Sequence, residues 1–166
     1  GGNTATILKG KIIQYGKTLD VYNKPENLTS AKVFSDPPMN IAEISKSGDT
    51  CKLTDNNVQW KSNVKIKDGN YKIGIRPHNI TTYKEGNNTV EINGKVLISE
   101  LSGSESLIHF TNGNLNWVSL SNGIQQKKIG ENTKLFMNVD EFLYFDENNR
   151  LVNHCLLYTS DAADES

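Results

Sequence analysis

Short apolar segments with a two-residue period follow one another along most of the chain after Pro38. Turn residues separate these segments, and no part of this region has a helical period over several turns. Alternation of this kind is typical of half-buried strands, and its spacing is that of a small β-sandwich or barrel. The predicted strands contain Val58/Trp60, Val64/Ile66, Ile73/Ile75, Val96/Ile98, Ile108/Phe110, Trp117/Leu120, Leu135/Met137/Val139 and Phe142 to Phe145.

The chain before Pro38 has a mixed pattern. Between Ala5 and Tyr15, apolar residues flank Lys9-Gly10-Lys11, which predicts two strands joined by a tight turn. Thr18 can cap a short helix that Pro25 must stop, and a second helix is predicted from about Asn27 to Phe34. Asp36-Pro37-Pro38 is incompatible with a helix or a central strand, so we predict a domain boundary there.

Asn93-Gly94 is a strong hairpin signal. A two-residue loop would pair Ile92 with Lys95 and scatter the neighbouring apolar residues over both faces. A three-residue loop ending at Lys95 pairs Ile92 with Val96 instead and gathers the apolar residues on one face. We therefore predict a hairpin with the longer loop.

Length and charge limit the classes of function. The 166 residues suffice for one core with a short N-terminal addition, and the formal net charge is −1. A balanced charge does not favour binding to nucleic acid or to an anionic membrane surface. No apolar run reaches bilayer-spanning length and no signal-peptide pattern opens the chain. We expect a soluble chain, linked to a membrane only through a partner.

The sequence provides no recognisable catalytic or metal-binding motif. Cys51 and Cys155 lie far apart, and the three histidines have no partner at metal-ligand spacing. The stretch from Gly10 to Thr18 ends in Gly-Lys-Thr, but it has five residues between its glycines where a phosphate-binding loop has four. Its bulky residues favour a strand. We predict no catalytic, cofactor-binding or metal-binding residue in this chain.

Four residues are candidate ligand or regulatory contacts. Arg76, fixed by the following Pro77, can offer a bidentate guanidinium to an anion, although a salt bridge to Glu105 is the favoured interpretation. His78 and His109 are the other candidates. Since His109 alternates with Phe110, it should face the opposite side of its strand.

Several motifs occur in an order that resembles the C-terminal region of ATP-binding subunits of ABC importers for sugars or glycerol-phosphate-like solutes. They are Gly10 to Gly16, Leu19 to Pro25, Phe34-Ser35-Asp36-Pro37-Pro38-Met39-Asn40, Ile73-Gly74-Ile75-Arg76-Pro77-His78, Leu101-Ser102-Gly103-Ser104-Glu105, and Leu135 to Asp140 with Phe145-Asp146. The chain departs from the family at Lys17-Thr18, where Thr-Pro is common, at Ser35, often Gly, and at His78, often Glu.

The resemblance implies three parts. Residues 1–36 would be the C-terminal remnant of a nucleotide-binding domain, with a hairpin and two short helices. Residues 37–153 would form an OB-like regulatory β domain of the TOBE type, as a barrel or sandwich. The acidic end, residues 154–166, differs in composition from the rest and is expected to be a disordered or artefactual tail.

The resemblance also implies a function for the parent subunit, which would couple hydrolysis of Mg-ATP to solute uptake at the inner face of the plasma membrane. The phosphate loop, ABC signature and catalytic glutamate motif have no counterpart here, so no ATPase residue is transferred. The expected role of this fragment is regulation or dimerisation, with a second ATP-binding subunit, permease subunits through the missing domain, and a small-molecule or protein regulator as partners. No nucleic acid is expected. The alternative is a stand-alone β-barrel module that binds a small anion or a sugar.

Overall fold

The chain is mainly β. The computed structural model describes residues 3–8, 11–17, 27–28 and 37–152. Two single-turn 3-10 helices, η1 (Pro77–Asn79) and η2 (Val139–Glu141), interrupt a succession of strands. The strands are β1 (Asn3–Leu8), β2 (Lys11–Lys17), β3 (Asn40–Ser47), β4 (Thr50–Leu53), β5 (Gln59–Lys61), β6 (Gly69–Ile75), β7 (Ile80–Thr81), β8 (Thr89–Ser102), β9 (Glu105–Asn112), β10 (Leu115–Asn122), β11 (Asn132–Asn138) and β12 (Leu143–Phe145).

Two five-stranded antiparallel sheets form the body of the described region. One has the strand order β10-β9-β8-β11-β7 and the other β12-β6-β3-β4-β5. Together they approach a closed barrel, consistent with an OB-like domain. The predicted mainly β fold is confirmed.

The predicted N-terminal hairpin is also confirmed. β1 pairs antiparallel with β2 in a separate two-stranded sheet, with a register shift between Thr6 and Ile7. Most of the Gly-Lys-Thr stretch therefore lies in a strand. The first predicted helix lies outside the described residues, and so does the second beyond Asn27 and Leu28. Asp36 at the predicted boundary and the tail after residue 152 lie outside them too.

The structure corrects the strand prediction at three places. Residues 62–67, which contain Val64 and Ile66, form no strand, although Val64 is buried. β3 and β4 were not predicted from the pattern. In β3 the buried positions alternate regularly, but they are occupied by Asn40, Ala42, Ile44 and Lys46. Polar and small residues at inward positions hide the period on which the prediction depends.

The predicted hairpin at Asn93-Gly94 is wrong, because β8 runs straight through it. Asn93 is opposite Lys134 and Gly94 is opposite Thr133 on β11. Gly94 is needed for close packing: a Cβ added there would lie 2.5 Å from Phe110 Cδ2 and 2.9 Å from Leu135 Cδ1. This glycine allows close packing of Phe110 and Leu135 in the core and does not form a turn.

The core lies between the two sheets. Its aromatic centre is an edge-to-face contact of Trp60 with Phe142, with ring centroids 5.1 Å apart. Trp60 Nε1 donates to the Tyr144 hydroxyl at 3.0 Å, and that hydroxyl donates to Ser62 Oγ at 3.2 Å. Burial raises the pKa of Tyr144 to about 12. The phenol thus stays protonated and satisfies an indole N–H that would otherwise be costly to bury.

A smaller apolar cluster covers the outer side of the second sheet. It contains Leu28, Met39, Leu143, Phe145 and Leu151. Leu28 is joined to this cluster by its backbone as well, since its N–H donates to the carbonyl of Asn149 at 2.8 Å. Residues 27 and 28 are thereby attached to the β region.

Candidate functional site

Arg76 lies where β6 ends and η1 begins. Its backbone is extended, with φ −68° and ψ 143°, and its carbonyl accepts from Asn79 N at 2.9 Å. The Arg76 side chain is only 8% exposed. The predicted placement of this guanidinium at a strand end before proline is therefore correct, while its burial was not foreseen. The salt bridge from Arg76 to Glu105 stays a prediction.

A polar cleft opens beside η1. It has a volume of about 190 Å³ and lies between the η1–β7 region, the loop before β8 and the junction of β11 with η2. Its lining includes His78, Asn79, Glu85, Asn138 and Glu141. We call it the His78 cleft. Asn138 is fixed there, because its side chain accepts from the backbone N–H of Asp140 and caps η2.

Charges converge on His78. The surrounding protein, and after it the positive charge of Arg76, lower the pKa of His78 below its ordinary value. Carboxylates of Glu141, Glu85 and Glu105 act in the opposite direction. At neutral pH the cleft thus combines a neutral imidazole with acidic side chains, which suits hydrogen bonding to a neutral or cationic group better than to an anion.

Glu105 and His109 lie on β9 and belong to different surroundings. Glu105 begins the strand, opposite Ser102 and Asn122, and its charge reaches His78. His109 is half-buried and lies between Ile98 and Val118 of the neighbouring strands. Phe110 is fully buried, so the predicted opposite orientation of His109 is confirmed.

The sequence pattern did not identify a surface formed by β8 and the segment 123–131. The exposed large apolar residues of the described region all lie there: Leu97, Ile98, Leu101, Ile124 and Ile129. We call them the apolar strip. Ile124 and Ile129 are 71% and 76% exposed. The sequence feature that could have indicated this surface is the presence of two isoleucines, Ile124 and Ile129, in a polar stretch that contains glycines.

The segment 123–131 runs beside β8. Gly123 N donates to the carbonyl of Ser104 at 2.6 Å, Lys127 N to Ser99 Oγ at 3.3 Å and Gly130 N to the carbonyl of Val96 at 2.7 Å. These bonds hold Ile124 and Ile129 alongside the exposed half of β8. Leu101 is opposite Ser106 and Ile98 is opposite His109, so these two side chains face opposite sides of the sheet. Exposed apolar side chains concentrated in one region are a common feature of protein interfaces.

Within the described residues, no three His, Cys, Asp or Glu side chains are arranged to hold a metal ion. No helix in the same residues is long and apolar enough to cross a bilayer. Cys51 is a buried free thiol, and burial raises its pKa.

Known proteins resemble this chain, although no known family profile matches it. The multiple sugar-binding transport ATP-binding protein MsmK of Streptococcus mutans is 26% identical over 148 residues, which is 82% of this chain and 39% of that protein. The xylose/arabinose import ATP-binding protein XacK of Haloferax volcanii is 26% identical over 153 residues, 88% of this chain and 40% of that protein. The sn-glycerol-3-phosphate import ATP-binding protein UgpC of Brucella abortus is 30% identical over 105 residues, 60% of this chain and 27% of that protein.

The chain spans at most about two fifths of the length of these curated relatives. Their names agree with the family suggested by the ordered motifs. The predicted resemblance is thus confirmed: the chain is similar to ATP-binding subunits of sugar and glycerol-phosphate ABC importers over most of its own length.

Proposed function

We propose that this chain is the C-terminal regulatory and dimerisation region of the ATP-binding subunit of an ABC importer for sugars or glycerol-phosphate-like solutes. The observation that carries the proposal is the match of 82% to 88% of this chain to about two fifths of two sugar-import subunits. Residues 37–153 would be a regulatory domain of the TOBE type. The complete subunit would couple ATP hydrolysis to solute uptake.

The apolar strip supports the dimerisation part of this proposal. Leu97, Ile98 and Leu101 are between 41% and 45% exposed, and Ile124 and Ile129 are more exposed still. Full burial of a fully exposed side chain of this size contributes about 1.5–3 kcal/mol, and the contribution is less than half of that for Leu97, Ile98 and Leu101, which are already partly buried. Lys127 and Lys128 lie between Ile124 and Ile129, and Glu100 lies beside Leu101. Two copies meeting at the segment 123–131 and the adjoining part of β8 would therefore combine burial of Ile124 and Ile129 with pairing of opposite charges.

The partners and location follow from the proposed parent. A second ATP-binding subunit would contact the β region, and permease subunits would contact the nucleotide-binding domain at the inner face of the plasma membrane. Mg-ATP would be held by that domain, because the sequence of this chain contains none of the motifs that bind it. A regulator would act on the β region.

The alternative of a free-standing anion-binding module has less support. Arg76 is largely buried, and three carboxylates act on neighbouring His78. These charges oppose an anion in the His78 cleft. A neutral sugar remains compatible with the carboxylates and amides of the cleft, since they accept and donate hydrogen bonds to hydroxyls.

A chimeric subunit tests the proposed function. In Streptococcus mutans MsmK, the segment that aligns with this chain would be replaced by this chain, and ATP-dependent sugar uptake would be measured in cells that lack MsmK. We expect uptake well above that supported by MsmK truncated before this segment. A chimera that accumulates and binds ATP, but transports no better than the truncated subunit, would contradict the proposal.

A further inference from the structure

Within the residues that the structure describes, the first half of β8 is paired along one edge and not along the other. β11 pairs with it from Thr89 to Lys95, but β9 pairs with its other edge only from Lys95 onward. β9 ends at Asn112, where the chain turns into β10. The edge of β8 before Lys95 therefore extends beyond its neighbour.

The direction of the backbone groups on this edge follows from bonds around Val96. Val96 N donates to the Glu131 carbonyl at 2.9 Å, and the Val96 carbonyl accepts from Gly130 N, both on the β11 side. Successive residues of a strand direct their N–H and C=O groups to opposite edges. Glu91 and Asn93 must then direct theirs to the β9 side. Asn112 Nδ2, which donates to the Asn93 carbonyl at 2.6 Å, agrees with this direction.

Three backbone groups of this edge remain available. Among the described residues, none forms a backbone bond with the N–H or C=O of Glu91 or with the N–H of Asn93 on this side. Both residues are exposed. An open edge of this kind is a template for another strand unless it is blocked.

A groove of about 430 Å³ lies in front of the open edge. Its opposite wall is the β4–β5 connection, and its lining includes Asn56, Asn57, Gln59, Glu91 and Asn93. Asn56 is fixed by two bonds: its Nδ2 donates to Asn112 Oδ1 at 2.9 Å and its Oδ1 accepts from Val58 N at 2.9 Å. The groove, which we call the β8 edge groove, thus has a preformed wall.

We propose that the β8 edge groove binds an extended, lysine- or arginine-bearing segment of another polypeptide by strand addition. The available groups of Glu91 and Asn93 recur every two residues, a spacing of about 6.8 Å that a β-strand backbone matches. A carbohydrate has no donor and acceptor repeat of that kind. Glu91 is the only carboxylate that lines the groove within the described residues, which favours a basic side chain on the incoming strand.

A blocked hexapeptide of alternating valine and lysine is the probe. Its matched control has the same sequence with alternate backbone nitrogens methylated, which removes the donors of one strand edge. Binding would be followed by amide chemical shifts and hydrogen exchange of the protein. We expect shifts and slower exchange at Glu91 and Asn93, with binding of the methylated peptide at least tenfold weaker. Equal binding of both peptides, or shifts elsewhere only, would overturn the proposal.

A pair of variants tests the same edge from the protein side. Glu91→Pro removes the available N–H, and an edge strand tolerates proline where the N–H faces outward. Glu91→Gln keeps that N–H and removes only the charge. We expect at least tenfold weaker binding by E91P and a smaller loss by E91Q, at an unchanged Tm. Unaltered binding by a folded E91P would contradict the proposal. If E91P does not fold, the comparison of the two peptides decides.

Discussion

The pKa of His78 depends on several charged neighbours. Its ring is adjacent to the His78 cleft, and its pKa is lowered by the surrounding protein and then by Arg76. The opposing carboxylates come from the loop before β8, from β9 and from η2, and are those of Glu85, Glu105 and Glu141. None of these three is a close sequence neighbour of His78, so only the fold brings their charges together.

The lowered pKa of His78 predicts a loss of stability in acid. As pH falls through about 6.5, the ordinary pKa, the unfolded chain takes up a proton at this residue before the folded chain does, and the free energy of unfolding decreases. Urea unfolding between about pH 7.5 and 5 should therefore show a shallower pH dependence for His78→Asn than for the unaltered chain.

Glu85→Gln is the matched control for this prediction. Removing the Glu85 charge takes away an interaction that raises the pKa of His78, so the pH dependence should become steeper. An unchanged slope in both variants would show that His78 does not contribute to acid sensitivity.

Prediction at the residue scale succeeded where it depended only on alternation. The orientation of His109 away from Phe110 was predicted from alternation, and it agrees with the burial of Phe110 and the partial exposure of His109. The burial of Arg76 and the charges around His78 depend on packing between distant elements. No local period contains that information.

At the scale of elements, the side chain of Asn40 bonds to the edge of β10 that pairs with none of the described strands. It is buried on β3, and its side-chain amide bonds both backbone groups of Val118 on β10. Asn40 Nδ2 donates to the Val118 carbonyl at 2.9 Å, and Asn40 Oδ1 accepts from Val118 N at 2.8 Å. One amide side chain thus occupies the free edge of β10 and links the two sheets.

Asn40→Ala should destabilise the fold by about 1–3 kcal/mol, because it removes two hydrogen bonds to half-buried backbone groups of Val118. Chemical denaturation measures this change. Asn116→Ala is the matched control. Asn116 lies on β10, as Val118 does, and is exposed, so its replacement should change stability by less than about 0.5 kcal/mol. Equal effects of the two substitutions would refute the role assigned to Asn40.

The sequence predicted elements well where apolar residues alternate, as in β6, β9 and β11. It failed at β3 because Asn40 and Lys46 occupy inward positions there. It also failed at Gly94, where a strong local turn signal was overridden by pairing with β11 on one side and by contact with Phe110 on the other. Tertiary packing determines the secondary structure at such positions, and the local sequence pattern does not contain this information.

At the scale of the whole molecule, the large exposed apolar residues of the described region are unevenly distributed. The described region places Ile124 and Ile129 beside the exposed half of β8, and most of the buried apolar residues belong to the main core or to the small cluster around Phe145. In the proposed self-association, a second copy of the chain covers residues of the apolar strip. This proposal agrees with the similarity of the chain to ATP-binding subunits of ABC importers.

Sedimentation equilibrium across a concentration series tests this claim most directly. We predict a concentration-dependent mass that reaches two chains, and a dissociation constant raised at least tenfold by the double substitution of Ile124→Lys with Ile129→Lys. Gln126→Lys adds one positive charge to the same segment, where the double substitution adds two, without removing apolar surface, and it should leave association nearly unchanged. A single-chain mass at every concentration, or equal weakening by Q126K, would contradict the account.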